Sequence, residues 1–303
     1  MGVYNFNKVF GSAGRPVAKL GDFVNGKIVA CDINPIIYAS IKAMYQGTHL
    51  TDANGVPTAS LNTLLSNILM LQRFGATVIG FCDNPKRNIH KHIEHKKRHD
   101  AKIKSEKKME ETDGEEKKKH ESNAWRLTDI VVKDAQMLMT LMGVDYYISP
   151  LNREAEQYAA DMAKEGKVDI VMTNDSDSIL FGTPCVIINN TEKSTKSKSP
   201  YTAFRIDKLL EEYKLDMDMF QKMCISLGTD FAPKTKGVGV KTVFTTGKNK
   251  PLDPDQLKAL EYIKSELKEP GVMIKGNYDK AGLIDWLVND KGFNKERIIK
   301  KLK

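Results

Sequence analysis

Cysteine is scarce in this chain and never paired. The four cysteines, Cys31, Cys82, Cys185 and Cys224, are widely separated and sit in apolar runs, and none forms a Cys-x-x-Cys pair. That spacing favours buried, reduced thiols and an intracellular, reducing compartment. No uninterrupted apolar stretch approaches membrane-spanning length, and the first residues lack a signal-peptide core, so neither a membrane nor secretion is expected. Met1-Gly2 invites a myristoylation reading, but Phe6 stands where that motif requires Ser or Thr. No internal repeat is evident. Asn174-Asp175-Ser176-Asp177-Ser178 lacks the later glycine and glutamate of a calcium loop, and Gly237-Val238-Gly239-Val240-Lys241-Thr242 lacks the adjacent Gly-Lys of a nucleotide phosphate loop. A glycine turn at a helix start can still hold a backbone phosphate.

What is abundant is charge. Lys and Arg number 47 against 39 Asp and Glu, giving +8 and a pI near 9.0 over 303 residues, enough for one substantial core and a smaller attachment. Against that excess, seven carboxylates recur at telling places: Asp32, Asp83, Glu154, Glu156, Asp175, Asp177 and Asp230. Asp32 ends Ile28-Val29-Ala30-Cys31, Asp83 ends Val78-Ile79-Gly80-Phe81-Cys82, and Asp175 follows Ile170-Val171-Met172-Thr173. Short β-rich runs that finish on a carboxylate, with helical segments between them, predict an α/β fold with a mainly parallel central sheet whose carboxyl edge is acidic. Ligands bind at that edge.

A lone Asp at a strand end is more often a turn former or helix cap, and Glu154-Ala155-Glu156 at a helix start proves little by itself. Their joint occurrence at one edge is what implies divalent metal, and all-oxygen ligands favour Mg²⁺ or Mn²⁺ over zinc. Positive charge placed elsewhere would hold a polyanion, and nucleic acid fits better than a small substrate.

Helices are expected over Ala59 to Phe74, from Val131 to Met142, over Asp207 to Tyr213 and over Met217 to Leu227, the last capped by Asp216 or Asp218. Cys185-Val186-Ile187-Ile188 reads as a further strand and Lys193 to Pro200 as a polar loop. From Lys86 to about Lys119 almost no apolar residue occurs, which predicts exposed helices, broken at Thr112-Asp113-Gly114, that order partly or only on binding. His90, His92, His95 and His99 read as helix surface or weak phosphate contacts, since no cysteine accompanies them as zinc would require.

In this order the pieces resemble the flap endonuclease family, the structure-specific 5′ nucleases related to the xeroderma pigmentosum group G protein. The resemblance rests on Met1-Gly2-Val3, Val29-Ala30-Cys31-Asp32 with Tyr38, Phe81-Cys82-Asp83, Arg153-Glu154-Ala155-Glu156, Thr173-Asn174-Asp175-Ser176-Asp177 with Phe181-Gly182, Leu227-Gly228-Thr229-Asp230-Phe231 and Gly237-Val238-Gly239. It implies a PIN-like nuclease core over 1–205 with a helical arch inserted at 84–127, a helix-two-turn-helix duplex-binding region over 206–247, and a C-terminal helical segment over 248–303. It also implies two-metal hydrolysis of DNA, with flap endonuclease and 5′-3′ exonuclease action in replication or repair.

By that resemblance Asp32, Asp83, Glu154 and Glu156 would surround one Mg²⁺, for which Mn²⁺ substitutes, and Asp175, Asp177 and Asp230 a second, with Glu156 near both. Lys91 and Arg98 of the arch would touch the scissile phosphate. Tyr38 would stack on a base near the cut, although a core tyrosine is as good a reading of that residue alone. Gly2, Lys234, Lys236, Gly237, Gly239 and Lys241 would meet DNA, usually with K⁺ bound in the glycine turn. The substrates implied are 5′ flaps, nicks and junctions, handled by a monomer at sites of DNA replication.

Three features depart from the family pattern. Tyr45 stands where an arginine often precedes Gln-Gly, here Gln46-Gly47, which weakens the expectation of a 3′-flap pocket. Thr245-Thr246-Gly247 is a poor helix sequence. No sliding-clamp-binding motif of Gln and paired aromatics follows the Gly292 to Arg297 segment. The rival readings are a 5′ exonuclease or bubble-cutting relative and a non-catalytic junction-binding protein.

Overall fold

The computed structural model describes residues 2–45, 50–86, 88–189 and 200–303. Gln46-Gly47 and all of the Lys193 to Pro200 loop but its last residue therefore lie outside the described residues. The strands are β1 (Arg15–Pro16), β2 (Ile28–Asp32), β3 (Thr77–Cys82), β4 (Tyr146–Ile148), β5 (Ile170–Met172), β6 (Cys185–Asn189), β7 (Tyr201–Arg205) and β8 (Val272–Ile274). They form one sheet in the order β1-β7-β6-β5-β2-β3-β4-β8. The five central strands, β6-β5-β2-β3-β4, run parallel. Antiparallel strands close both edges, β7 and β1 on one side and β8 on the other. The fold is thus α/β with a mainly parallel sheet.

The helices are α1 (Phe6–Phe10), α2 (Leu20–Val24), α3 (Ile33–Tyr45), α4 (Ala59–Arg73), α5 (His92–Glu111), α6 (Gly114–Ala124), α7 (Asp129–Leu141), α8 (Ala155–Lys164), α9 (Asp177–Leu180), α10 (Ile206–Tyr213), α11 (Met217–Leu227), α12 (Pro254–Lys264), α13 (Lys280–Asp285) and α14 (Lys295–Lys301). Side-chain alternation along β2 explains how they layer on the sheet. Val29 and Cys31 join a core with Leu61, Leu65 and Ile68 of α4 and Val131 and Leu138 of α7. Ala30 joins a second core, with Phe81, Val171 and Tyr158 of α8. Both faces of the central strands are therefore covered, as parallel sheets require. A third core gathers Phe10 of α1, Leu180 of α9, Phe220 of α11 and Ile263 of α12.

Local chemistry sets the ends of the later helices. Asp216 accepts a hydrogen bond from the Met219 N–H at 2.7 Å and caps α11. Asp253 and Gln256 form a capping box on α12, with Pro254 in its first turn. All four cysteines are free, and burial pushes the Cys31 and Cys82 thiols up to about 12.

The structure differs from expectation in two places. The segment 248–303 is not wholly helical, because Val272–Ile274 pairs with β4 and completes the sheet edge. The helix expected to follow the Gly237 to Gly239 turn is a single π-turn, Val243–Gly247, in keeping with its two threonines and glycine. The charged stretch forms two helices divided at Thr112-Asp113, as the sequence predicts, with α5 lying along α6 and α6 against α3. Trp125, just past α6, fixes that end by an edge-on contact with Tyr38 at 5.5 Å.

Candidate active site

The parallel strands deliver their carboxylates to one edge. Asp32 is the last residue of β2, Asp83 follows β3, and Asp175 lies three residues beyond β5. Glu154 and Glu156 come from the start of α8, Asp177 opens α9, and Asp230 sits in the turn after α11. A cleft of 490 Å³ is walled by Asp32, Asp83, Glu154, Glu156 and Asp175 together with Tyr38, Lys91 and Arg98. Asp177 and Asp230 stand back from its wall, yet both belong to the same cluster through their charges.

Short polar side chains hold the carboxylates in place. Asp32 accepts from the Thr173 hydroxyl at 3.0 Å, and the same hydroxyl accepts from the Asp175 N–H at 3.1 Å. Asp83 accepts from the Ala155 N–H at 2.7 Å and from the Asn34 amide at 2.5 Å. No role was legible in the sequence for Asn34, or for Thr173 beyond its place in a motif, although each lies two residues from an acidic motif residue. Gly2 has φ +92°, and a Cβ there would collide with Asp175 and Ser176. Only glycine fits where the N-terminal strand of chain crosses this loop.

Two cations from the base of the arch face the cluster. Lys91, 5% exposed, places its ammonium 3.1 Å from Glu154, 3.5 Å from Glu156 and 3.8 Å from Asp230. Arg98 reaches Asp230 at 3.1 Å and Glu94 at 2.9 Å. The remaining charge is crowded. Burial, and then Asp83, raise Asp32 well above the usual carboxylate range, and burial, and then Glu154, push Asp83 up to about 6. Burial, with Asp175 and Asp230, likewise raises Asp177. Glu154 goes the other way: burial alone would raise it, but Lys91 and Asn88 hold it below its ordinary value.

Asp177 is the decisive residue for a metal. It is fully buried, and among the described residues neither of its carboxylate oxygens has a hydrogen-bond partner. A buried carboxylate left in that state is costly unless a cation meets it. Oxygens of Glu156, Asp175 and Asp177 lie within 4.8 Å of one another, a hard all-oxygen donor set that fits a divalent ion.

The candidate DNA contacts beyond the cleft follow Asp230 in sequence. Lys234, Lys236, Gly237 and Lys241 are exposed and Gly239 is half-buried. The Thr242 hydroxyl closes this turn, accepting from the Gly239 N–H and donating to the Gly237 carbonyl, both at 2.9 Å. The structure does not bring these lysines into the carboxylate cluster.

Known proteins are similar to this chain in sequence and fold. The XPG I-region family matches residues 143–230, the span that carries Glu154, Glu156, Asp175, Asp177 and Asp230. Flap endonuclease 1 of Methanocaldococcus jannaschii is 29% identical over 309 residues, covering 93% of this chain and 92% of that protein. The solved flap endonuclease-1 from Methanococcus jannaschii superposes with a TM-score of 0.70 at 26% identity, over 95% of this chain and 94% of that one. In sequence and in fold the chain is similar to flap endonucleases over nearly its whole length. The catalytic core of Rad2 in complex with DNA substrate has the same fold, with a TM-score of 0.70 over 99% of both chains at 21% identity. Among the described residues no helix is long and apolar enough to cross a membrane.

Proposed function

We propose that this protein is a metal-dependent, structure-specific 5′ nuclease that removes 5′ flaps from DNA and trims 5′ ends at nicks. The observation that carries the reading is Asp177, a buried carboxylate without a hydrogen-bond partner, set in a cluster faced by Lys91 and Arg98. Asp32, Asp83, Glu154 and Glu156 are suited to one Mg²⁺, and Asp175, Asp177 and Asp230 to another, with Mn²⁺ as a substitute. Ions held there would supply activation of a water and neutralisation of charge on the phosphate.

The chain's own groups then divide the remaining work. Lys91 and Arg98 project into the cleft from the arch side and donate to the non-bridging oxygens of the scissile phosphate. To do so Lys91 turns from Glu154 and Glu156, a movement of one flexible side chain. Tyr38 lines the cleft and offers a ring face to the base beside the cut, once its contact with Trp125 gives way. Gly2 lets the backbone pass close to Asp175 without obstructing the phosphate path. The exposed Lys234, Lys236 and Lys241 and the Gly237 to Gly239 turn grip the intact duplex through its phosphates, with K⁺ in the turn. The protein acts as a monomer on replicating or damaged DNA.

The test is a panel of end-labelled flap, nicked, gapped and bubble substrates with Mg²⁺. Cleavage of flaps in preference to bubbles is expected. Junction binding without cleavage in either Mg²⁺ or Mn²⁺ would reject the catalytic reading, and bubble preference would reassign the chain to the bubble-cutting relatives.

A further inference from the structure

One side chain from the far end of the sequence ties together the two segments that meet at Lys91 and Glu154. Tyr262, in α12, is buried, and its hydroxyl uses both of its hydrogen-bonding roles. It accepts from the Asn88 side-chain amide at 2.7 Å and donates to the Asn152 carbonyl at 2.9 Å. Asn88 in turn uses its side-chain oxygen to accept the His90 N–H at 3.0 Å, capping the single turn Ile89–Lys91. Its side chain also helps hold the Glu154 carboxyl below its ordinary value. Asn152 lies two residues before Glu154 in a left-handed conformation, φ 60°, and its side chain accepts from the Ile89 N–H at 3.4 Å.

The ring of Tyr262 acts on the same turn. It stacks on His90 at 4.1 Å and meets Phe231 at 5.2 Å. Phe231 follows Asp230 and lies 4.9 Å beneath the Lys91 ammonium. Core filling in α12 is already served by Ala259 and Ile263, and packing alone would be satisfied by phenylalanine. A hydroxyl at this place is explained by the bridge it makes.

We propose that Tyr262 is a positioning residue for cleavage: its hydroxyl locks Asn88 and Asn152 together and so holds the turn that aims Lys91 into the cleft. Tyr262 touches no substrate. The inference rests on the proposed nuclease reading, because the value of aiming Lys91 lies in its contact with phosphate.

The test uses the full chain with Tyr262→Phe, which keeps the ring and removes only the hydroxyl. The single-turnover rate at saturating enzyme should fall about 10-fold, the worth of one buried hydrogen bond, while flap affinity changes less than about 3-fold. Placed on Lys91→Ala, the same substitution should cause no further loss of rate, since nothing remains to be aimed. Asn88→Ala, which removes the other end of the bridge together with the cap on His90, should lose at least as much as Tyr262→Phe, and adding Tyr262→Phe to it should cost little more. Amide exchange of His90 should quicken in Tyr262→Phe. An unchanged rate in Tyr262→Phe overturns the proposal. So does an equal loss on the Lys91→Ala background, which would mark Tyr262 as merely structural. If the unaltered chain cleaved no flap in Mg²⁺ or Mn²⁺, the nuclease reading would fall, and the His90 exchange would still decide whether Tyr262 holds the turn.

Discussion

The ammonium of Lys91 lies 3.1 Å from a carboxylate oxygen of Glu154, with little of either side chain open to solvent. An ion pair so placed is vulnerable to losing one partner, because the other is left buried and uncompensated. Bound divalent ions would serve the same carboxylates. Lys91→Met is therefore expected to destabilise the protein by about 3–5 kcal/mol in chelator, and by much less in saturating Mg²⁺. Thermal or urea unfolding under both conditions measures this, and equal losses would deny that Lys91 and metal share ligands.

Asp177 is expected to behave in the opposite way. Its two unpartnered oxygens are a liability when no cation meets them, so Asp177→Asn should raise the unfolding midpoint in chelator, by about 1–3 kcal/mol in stability. The same change should abolish cleavage while leaving junction binding within a few fold, since affinity comes chiefly from Lys and Arg contacts to phosphate. Mg²⁺-dependent turnover surviving in the variant would remove Asp177 from the site.

The contrast between these two residues shows what the sequence conveyed. Asp32, Asp83 and Asp175 were legible because each ends or follows an apolar, β-rich run long enough to recognise, and a strand fixes where its last residue points. Lys91 was singled out only through the family resemblance, not by its own surroundings in sequence, since its partners Glu154, Glu156 and Asp230 lie more than sixty positions away and no local pattern records that meeting. Strand β8 escaped for a related reason. Val272–Ile274 is three residues long, below the length at which alternation can be read, and it exists as a strand only because β4 offers an open edge. The helices of the arch were legible as helices, but their seating against α3 through Trp125 and Tyr38 was not.

A second buried lysine gives a prediction independent of the active site. Lys291 lies 2.6 Å from Asp134 and 3.4 Å from Asp52, tying the C-terminal segment to α7 and to the turn around Asp52. Burial alone would raise Asp52, but the Val56 and Asn54 N–H groups and Lys291 outweigh it and hold the carboxyl below its ordinary value. A carboxylate depressed on folding stabilises the protein above its unfolded pKa of about 3.9 and loses that contribution as pH falls through the lower folded value. Lys291→Met should cost about 3 kcal/mol at neutral pH and move the onset of acid unfolding upward. Urea titrations between pH 3 and 7 test both, and an unaltered acid limb would dissociate Asp52 from the effect.

The last prediction asks whether the arch takes part in chemistry or only attracts DNA. Arg98 reaches Asp230 at 3.1 Å and Lys91 reaches Glu154, whereas Lys118 pairs with exposed Glu115 at 3.0 Å, within its own helix. Neutralising Lys91 and Arg98 together should lower the single-turnover rate by at least about 10²–10³, the usual loss when one donor aimed at transition-state charge is removed. Affinity should fall much less. Neutralising Lys117 and Lys118 should instead weaken binding in a salt-dependent way and leave the saturated rate nearly unchanged, because those lysines would meet phosphate only as part of a diffuse field. Single-turnover measurements at saturating enzyme, repeated at two salt concentrations, separate the outcomes. If both double variants lose affinity alone, the arch is an electrostatic funnel, and Lys91 and Arg98 have no part in the chemical step.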